Sequence, residues 1–168
     1  NIVGEGQKYD DPFRNVMSIM INRNLQGLPS VIYGNGEQTR CFSYIDDCIE
    51  CIVKLGMNSS LNEQIVNIGP DEEIISINEL AELCAHETGL NIPPVYYSNG
   101  RPQEVEHATC SSQKARMLLN YETQTTVAEA VKKTADYIRK CGVKKFCYHI
   151  TLEIVNDKTP KTWTEQSI

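Results

Sequence analysis

Five segments of the chain have the pattern of helices. In most of them, apolar residues recur every three or four positions between a polar start and a glycine that ends the pattern. The first follows Asp10-Asp11-Pro12 and ends at Gly27, and the second starts at Asp46 or Asp47 as a cap and ends at Gly56. The capping boxes Ser76-x-x-Glu79 and Thr126-x-x-Glu129 start two more helices, which end at Gly89 and Gly142. A short helix covers about 112–119.

Short apolar runs between these segments predict strands over 31–33, 40–44, 65–68 and 95–97. Asn35 lies between Gly34 and Gly36, and such residues adopt positive φ at little cost. We therefore expect the first two strands to form a tight hairpin. The mixed order of about five helices and short strands predicts an α/β (mixed α+β) lobe rather than a helical bundle.

The last part of the chain has a different pattern. Apolar and polar residues alternate over 146–154, and a period of two predicts a strand. We interpret 143–168 as an extension, whose strand could add to a sheet edge, cover a surface of the lobe or reach a second subunit. Residues 157–168 are expected to be ordered only if they dock on the rest of the chain.

Composition and charge exclude several classes of protein. The 168 residues are 40% hydrophobic and 23% charged, which is ordinary for one globular domain. The formal net charge of −6 argues against a nucleic-acid partner, which requires a basic face. No apolar run approaches the ~20 residues that span a membrane, so we expect no membrane association and a cytoplasmic location.

The seven cysteines do not indicate a disulfide framework, because their number is odd and their spacing scattered. Cys48-x-x-Cys51 is the one tight pair, and it falls inside a predicted helix with no second Cys or His pair nearby in sequence. A zinc site usually needs about four ligands. We therefore predict no metal site and reduced thiols.

Arg40 is the residue whose chemistry stands out on its own. It follows the glycine-flanked turn, on a strand with mixed polarity. The planar guanidinium carries five donors and binds phosphate oxygens in a bidentate way, but it pairs equally well with a neighbouring carboxylate. The pattern alone leaves both roles open.

Residues 33–47, YGNGEQTRCFSYIDD, resemble the substrate-binding part of the extended short-chain dehydrogenase/reductase family, which contains NAD-dependent sugar-nucleotide epimerases, dehydratases and decarboxylases. Four further segments resemble motifs of that family and follow its order. They are Asn1-Ile2-Val3-Gly4 for NxYGP, Asn67-Ile68-Gly69 for NiG, Arg101-Pro102-Gln103-Glu104 for RPxE, and residues 112–119 for sxKAxxxLG. The resemblance covers about residues 1–141, and five weak motifs in one order form a specific signal.

The resemblance implies that this chain holds only the substrate half of such an enzyme. In the family, a glycine-rich G-x-x-G-x-x-G turn binds the pyrophosphate of NAD and a Tyr-x-x-x-Lys pair transfers a proton. Neither motif occurs here. We therefore expect residues 1–142 to form a sugar-nucleotide-binding lobe, with NAD bound by a half outside this chain, no cofactor bound by this chain alone, no catalytic residue and no turnover.

The resemblance also implies a set of binding residues. Arg40 and Arg101 would clamp the diphosphate, and Glu104 would hold the ribose or orient Arg101, two roles that remain open. Tyr33 would face the base, unless it is an ordinary core tyrosine. Asn1 would contact the sugar, although Val3 and Glu5 depart there from the family's aromatic residue and proline.

The partner expected from the resemblance is a nucleotide sugar. The loop 99–108 is more similar to UDP-sugar epimerases than to deoxythymidine-diphosphate-sugar dehydratases. Many relatives form homodimers, so a homodimer is possible. The alternative is a module without catalysis, which either binds nucleotide sugars or docks a protein on the 146–154 strand.

Overall fold

Helices and short strands alternate along the chain, in agreement with the predicted α/β class. The structure, a computed structural model, describes residues 1–97 and 100–168, so the first two residues of the predicted loop 98–110 lie outside it. The α-helices are α1 Val16–Leu25, α2 Ile45–Met57, α3 Ile77–Thr88, α4 Gln113–Leu119, α5 Val127–Cys141 and α6 Lys161–Thr164, with a 3₁₀ turn at Ser59–Leu61. The strands are β1 Ile2–Val3, β2 Val31–Tyr33, β3 Thr39–Arg40, β4 Ser43–Tyr44, β5 Ile75–Ser76, β6 Val95–Tyr97 and β7 His107–Ala108.

The strands form three small sheets. Strand β1 pairs with β4 in parallel, and β2 pairs with β6 in parallel, with Tyr33 opposite Tyr97. In the third sheet β3 is central, antiparallel to β5 and parallel to β7, and Arg40 pairs with Ile75 on one side and Ala108 on the other. The third sheet therefore fixes the position of Arg40 from both sides.

The expected hairpin after Tyr33 is wrong. Strands β2 and β3 belong to different sheets, so the turn between them links two sheets rather than two paired strands. Asn78 of α3 holds this turn: its Nδ2 donates to the Asn35 carbonyl and to Glu37 Oε1, both at 2.9 Å. At Gly36 the backbone has φ +77°, and a Cβ atom there would clash with the Asn78 side chain.

Local hydrogen bonds start two helices as predicted. Ser76 and Thr126 each accept a hydrogen bond from the backbone amide three residues on, and Glu79 and Glu129 return the contact to the cap, which completes both capping boxes. Gly89 ends α3 in the left-handed conformation with φ +72°. These features depend on neighbours in sequence, which explains why they could be predicted.

Two helix starts differ from the prediction. Helix α1 begins at Val16, where the Asn15 side chain caps it, and Asp11 instead accepts from the Phe13 amide and the Arg14 side chain. Helix α2 begins at Ile45 with Tyr44 at its N-cap and no side-chain cap, so Asp46 and Asp47 lie in its first turn. The Asp47 carboxylate instead accepts hydrogen bonds from the amides of residues 124 and 125. Helix α2 also continues past the predicted stop at Gly56, to Met57.

Helices α1, α3 and α5 pack together and form the main core with parts of the strands. Fully buried side chains of this core include Met17, Met20, Ile21, Leu80, Val131 and Ile138. A smaller cluster joins α2 to α4. The core supports the end of β2 and the start of α1, which border the candidate site.

Two predicted strands are absent from the described residues. Residues 65–68 form no strand, and Ile65 is 87% exposed, so its apolar side chain does not reflect burial in a sheet. Residues 146–154 also form no strand, although their alternation predicted one. This segment is attached by one backbone hydrogen bond, from the Cys147 amide to the Asp10 carbonyl at 2.9 Å, and by side chains: the Tyr148 ring contacts the Phe13 ring edge-on at 5.9 Å between centroids. The boundary at residue 142 stays a prediction.

Candidate functional site

A cavity of about 270 Å³ lies where β2, β3, the segment before α1 and the C-terminal segment meet. All five predicted binding residues line it: Asn1, Tyr33, Arg40, Arg101 and Glu104. They come from four separate parts of the sequence, up to 103 positions apart by number. The structure thus brings the whole predicted set together, while the role of each residue stays a prediction.

The two arginines converge on one carboxylate. Arg40 Nη2 donates to Glu104 Oε1, and Arg101 Nε lies 3.8 Å from Glu104 Oε2. The Arg40 side chain is only 13% exposed, and its Nη1 also donates to the Thr39 carbonyl at 2.7 Å. The ion pair that the sequence left open for Arg40 is therefore present. Both partners of this ion pair line the cavity, so the Arg40 guanidinium stays at the cavity while it is paired.

The charges of this group favour an anion. Two guanidinium groups face a single carboxylate, so the group carries an excess of one positive charge (+2 − 1) in a protein whose net charge is −6. The 3.8 Å contact between Arg101 and Glu104 is longer than a hydrogen bond. Arg101 therefore has donor capacity that Glu104 does not use.

Tyr33 forms the wall beside Arg101. The Arg101 Cζ atom lies 5.7 Å from the centroid of the Tyr33 ring, within the range of a cation–π contact. Gln38 Nε2 donates to the Tyr33 carbonyl at 3.2 Å, which links the end of β2 to the turn that follows it. Tyr33 is half-buried and at the cavity surface, so it is not an enclosed core tyrosine.

Asn1 lies at the edge of the same cavity. Its Nδ2 donates to the Cys41 carbonyl at 3.3 Å, and its own carbonyl accepts from the Ser43 amide at 3.0 Å. These contacts continue the pairing of β1 with β4 by one residue. They hold Asn1 next to the strand that follows Arg40.

The sequence patterns missed other side chains in the cavity. Among them are Phe13 and Arg14, before α1, and Trp163 and Ile168, in the C-terminal segment. Phe13 lies within the segment predicted as the first helix, but it precedes α1, and its ring meets Trp163 edge-on at 5.1 Å. The one signal for this contact was the presence of a tryptophan and a C-terminal isoleucine in an otherwise polar tail.

A second cavity of about 330 Å³ adjoins the first and shares Tyr33, Gln38, Arg101 and Glu104 with it. The glycine turn after β2 and His107 of β7 form its other walls. Because the Arg101–Glu104 pair borders both cavities, an elongated ligand could contact this pair and extend to either side.

The described residues of the site form no arrangement typical of nucleophilic catalysis. His107 Nδ1 contacts the Thr39 hydroxyl at 3.0 Å, and His86 lies within α3. All seven thiols are free, and burial is the main cause that raises the pKa of Cys41, Cys48 and Cys51, so these thiols stay protonated at neutral pH. Within the described residues, no cluster of His, Cys, Asp or Glu could hold a metal ion.

The two motifs that the family resemblance associates with NAD binding and proton transfer do not occur in this sequence. The ten glycines do not form the G-x-x-G-x-x-G spacing, and none of the eight tyrosines is followed four residues later by a lysine.

Residues 1–134 match the family model described as GDP-mannose 4,6 dehydratase. The chain belongs to this family. The match covers each predicted site residue, and it confirms the resemblance to NAD-dependent epimerases and dehydratases that the sequence motifs indicated. It ends before the last part of α5, so residues 143–168 lie beyond it.

One relative is a UDP-N-acetyl-α-D-glucosaminuronate decarboxylase of Bacillus cytotoxicus, which is 40% identical to this chain over 146 residues. The match covers 83% of this chain and 44% of the relative. Among solved structures, Pal from Bacillus thuringiensis is 34% identical with a TM-score of 0.75. UDP-glucuronic acid 4-epimerase from Bacillus cereus, in complex with UDP-glucuronic acid and NAD, is 26% identical with a TM-score of 0.74. Both structures cover 84% of this chain, which spans 44% of each of them.

The fold is thus that of the epimerases, over less than half of their length. None of the helices in the described residues is both long enough and apolar enough to cross a lipid bilayer.

Proposed function

We propose that this chain is the substrate-binding lobe of a sugar-nucleotide epimerase, dehydratase or decarboxylase, and that Arg40 and Arg101 hold the diphosphate of a UDP-type sugar. The observation that carries the proposal is the convergence of both guanidinium groups on Glu104 in one cavity. Arginine forks suit phosphate oxygens because they offer two parallel donors. Relatives with this fold include enzymes that were solved with UDP-sugars.

The cavities beside the arginines support a ligand that is longer than a diphosphate. In the proposed arrangement, the diphosphate lies at Arg40 and Arg101, with the base near Tyr33 and the sugar near Asn1. Stacking on an aromatic ring contributes about 1–3 kcal/mol per base in nucleic-acid complexes, which makes Tyr33 a suitable neighbour for a base. Glu104 would release one arginine to the ligand and accept a hydrogen bond from the ribose or orient Arg101.

The function of the lobe would be positioning. Holding the nucleotide handle fixes where the hexose lies relative to a reacting partner, and such positioning can supply a large part of a rate enhancement. NAD, when bound to the complete enzyme, would exchange a hydride with the sugar. The motifs that carry that chemistry in the family do not occur in this sequence. We therefore expect the 168-residue chain to bind a sugar nucleotide but not to convert it.

The rival proposal of a protein-docking strand has lost its structural basis, because 146–154 forms no strand. A module that binds nucleotide sugars without catalysis would use the same site. It would differ from the proposed lobe only in having no half that binds NAD and carries the catalytic residues.

Calorimetry with UDP and with uridine tests the proposal. The chain should bind UDP, and uridine should bind at least about tenfold more weakly, because charge-assisted hydrogen bonds contribute roughly 1.5–3 kcal/mol each. Equal affinity for the two would remove the diphosphate from the proposal, and no binding of UDP would refute the function. Turnover of a UDP-sugar with added NAD would refute the prediction that the chain alone is inactive.

A further inference from the structure

The Arg101 guanidinium contacts two aromatic rings. Its Cζ atom is 5.7 Å from the Tyr33 ring centroid and 5.2 Å from the Trp163 ring centroid. Tyr33 belongs to a motif that resembles the family, whereas Trp163 lies in the C-terminal segment, beyond the 1–134 family match. Trp163 is also the single tryptophan of the protein.

Several contacts hold Trp163 at this place. It lies on α6, directly after Thr162, which is fully buried. The Phe13 ring meets the indole nearly perpendicularly, at 79°. Further on, the Ile168 amide donates to the Tyr148 hydroxyl at 3.0 Å, which joins the two ends of the extension. The segment that was expected to be ordered only if docked is therefore docked, at the rim of the cavity.

The geometry of a guanidinium explains what two rings can do for it. All of its N–H groups lie in the plane of the group and point outwards, while its two faces carry no donor. Aromatic rings attract the cation at its faces and leave the N–H edge available for oxygen atoms. An arginine that is held in this way loses less rotamer entropy when it binds an anion.

Glu104 alone does not hold Arg101 in this orientation. The carboxylate is 3.8 Å from Arg101 Nε, too far for a hydrogen bond, and the Arg101 side chain is 38% exposed. The Trp163 ring is the nearer of the two rings. The C-terminal segment therefore adds a second, nearer aromatic contact to the one that Tyr33 of the lobe makes.

We propose that Trp163 is a positioning residue for Arg101, and that its indole keeps the guanidinium edge directed at a bound diphosphate. This inference depends on the proposed function of the site. It assigns the C-terminal extension to ligand binding, and it makes the affinity for a nucleotide diphosphate dependent on a residue outside the family match.

The test is a double-mutant cycle on UDP binding, measured by calorimetry on the 168-residue chain. Trp163→Leu should weaken UDP binding about 3–10-fold, in line with the strength of cation–π contacts, and Trp163→Phe should bind within about twofold of the wild type. In an Arg101→Ala background, Trp163→Leu should have no further effect, because its partner is gone. A purely structural role would give the same loss in both backgrounds.

Fluorescence gives a second readout that does not depend on a variant of Trp163. Because the protein has one tryptophan, UDP should change its emission in the wild type, and the change should be absent in Arg101→Ala at concentrations of UDP that saturate the wild type. This measurement decides the matter if Trp163→Leu does not fold.

The possible failures are distinguishable. If the wild type does not bind UDP, the proposed function falls and this inference with it. If the wild type binds UDP but Trp163→Leu binds equally well, binds more tightly, or loses the same factor in the Arg101→Ala background, only the role of Trp163 is overturned. An unchanged tryptophan emission on saturation with UDP has the same consequence.

Discussion

The Arg40 guanidinium donates a hydrogen bond to the Glu104 carboxylate, although 64 positions separate the two residues in the chain. Arg40 is held in the centre of a three-stranded sheet, and Glu104 lies in the connection between β6 and β7. The same carboxylate faces Arg101. This shared carboxylate joins the two arginines into one group.

Replacing Arg40 by alanine should weaken UDP binding by about tenfold or more, because a charge-assisted hydrogen bond contributes roughly 1.5–3 kcal/mol. Calorimetry measures the change. Arg139→Ala is the matched control, because Arg139 pairs with Glu87 and Asp136 on the surface and does not line the cavity. An unchanged affinity in Arg40→Ala, or an equal loss in both variants, would remove Arg40 from the binding site.

Replacing Glu104 by glutamine should strengthen UDP binding by a few-fold. The change keeps the size of the side chain and removes the negative charge that now faces both arginines. A diphosphate then meets two guanidinium groups without a competing carboxylate. Titration with UDP at two salt concentrations measures the effect, which should shrink at high salt. A weaker affinity for both UDP and uridine would instead favour a hydrogen bond that Glu104 accepts from the ribose.

Gly36→Ala should destabilise the protein by about 1–3 kcal/mol, because it adds strain at a left-handed backbone and a clash. Gly36 has φ +77°, and its added Cβ would meet the Asn78 side chain. Gly27→Ala is the control, since Gly27 has a similar φ of +75° and open space around it. Denaturant unfolding should show a larger loss for Gly36→Ala. Equal losses would mean that Asn78 moves aside without cost.

Asp71→Asn should lower the stability at neutral pH and have little effect near pH 2. Hydrogen bonds from the Arg116 side chain are the main cause that lowers the pKa of Asp71 to about 2. A carboxyl group with a lowered folded-state pKa stabilises the fold above its unfolded value of about 4, and this contribution disappears as the pH falls towards 2.

Exposure to solvent weakens the contribution of the Asp71 charge to stability. The Asp71 side chain is 25% exposed, so we expect a loss of about 2–4 °C in Tm at pH 7. Thermal unfolding of Asp71→Asn and wild type between pH 2 and pH 7 measures it. A difference in Tm that does not depend on pH would contradict the assignment to the charge of Asp71.

The features that sequence reasoning predicted well depend on neighbouring residues. The capping boxes at Ser76 and Thr126 need only residues three positions apart, and the glycine that ends α3 needs only its own backbone. The hairpin after Tyr33 failed for the opposite reason. Strand β2 pairs with β6, which lies 64 positions further along the chain, and the turn after β2 is held by Asn78 of α3. Neither contact is visible in the residues of the turn itself.

The residues of the candidate site also differ in how far they could be predicted. Motifs indicated Arg40, Arg101 and Glu104, because the family resemblance already carries information about contacts between distant segments. No such information existed for Trp163, which lies beyond the family match. Alternation over 146–154 was misleading because the segment has no partner strand in the described residues. Tyr148 and His149 contact Phe13 instead, and Ile154 remains 77% exposed.

The carboxylate between the two arginines has a consequence for selectivity. In the structure, the cationic group already has its own counter-ion, Glu104. An anion that enters can use the free donors of Arg101, but it must exchange with the tethered carboxylate to bind Arg40 as well, and an anion with a single charge gains little by the exchange. An anion with two adjacent charges can satisfy both guanidinium groups at once. The tethered counter-ion would thus disfavour the binding of chloride and simple carboxylates and favour the binding of polyanionic ligands.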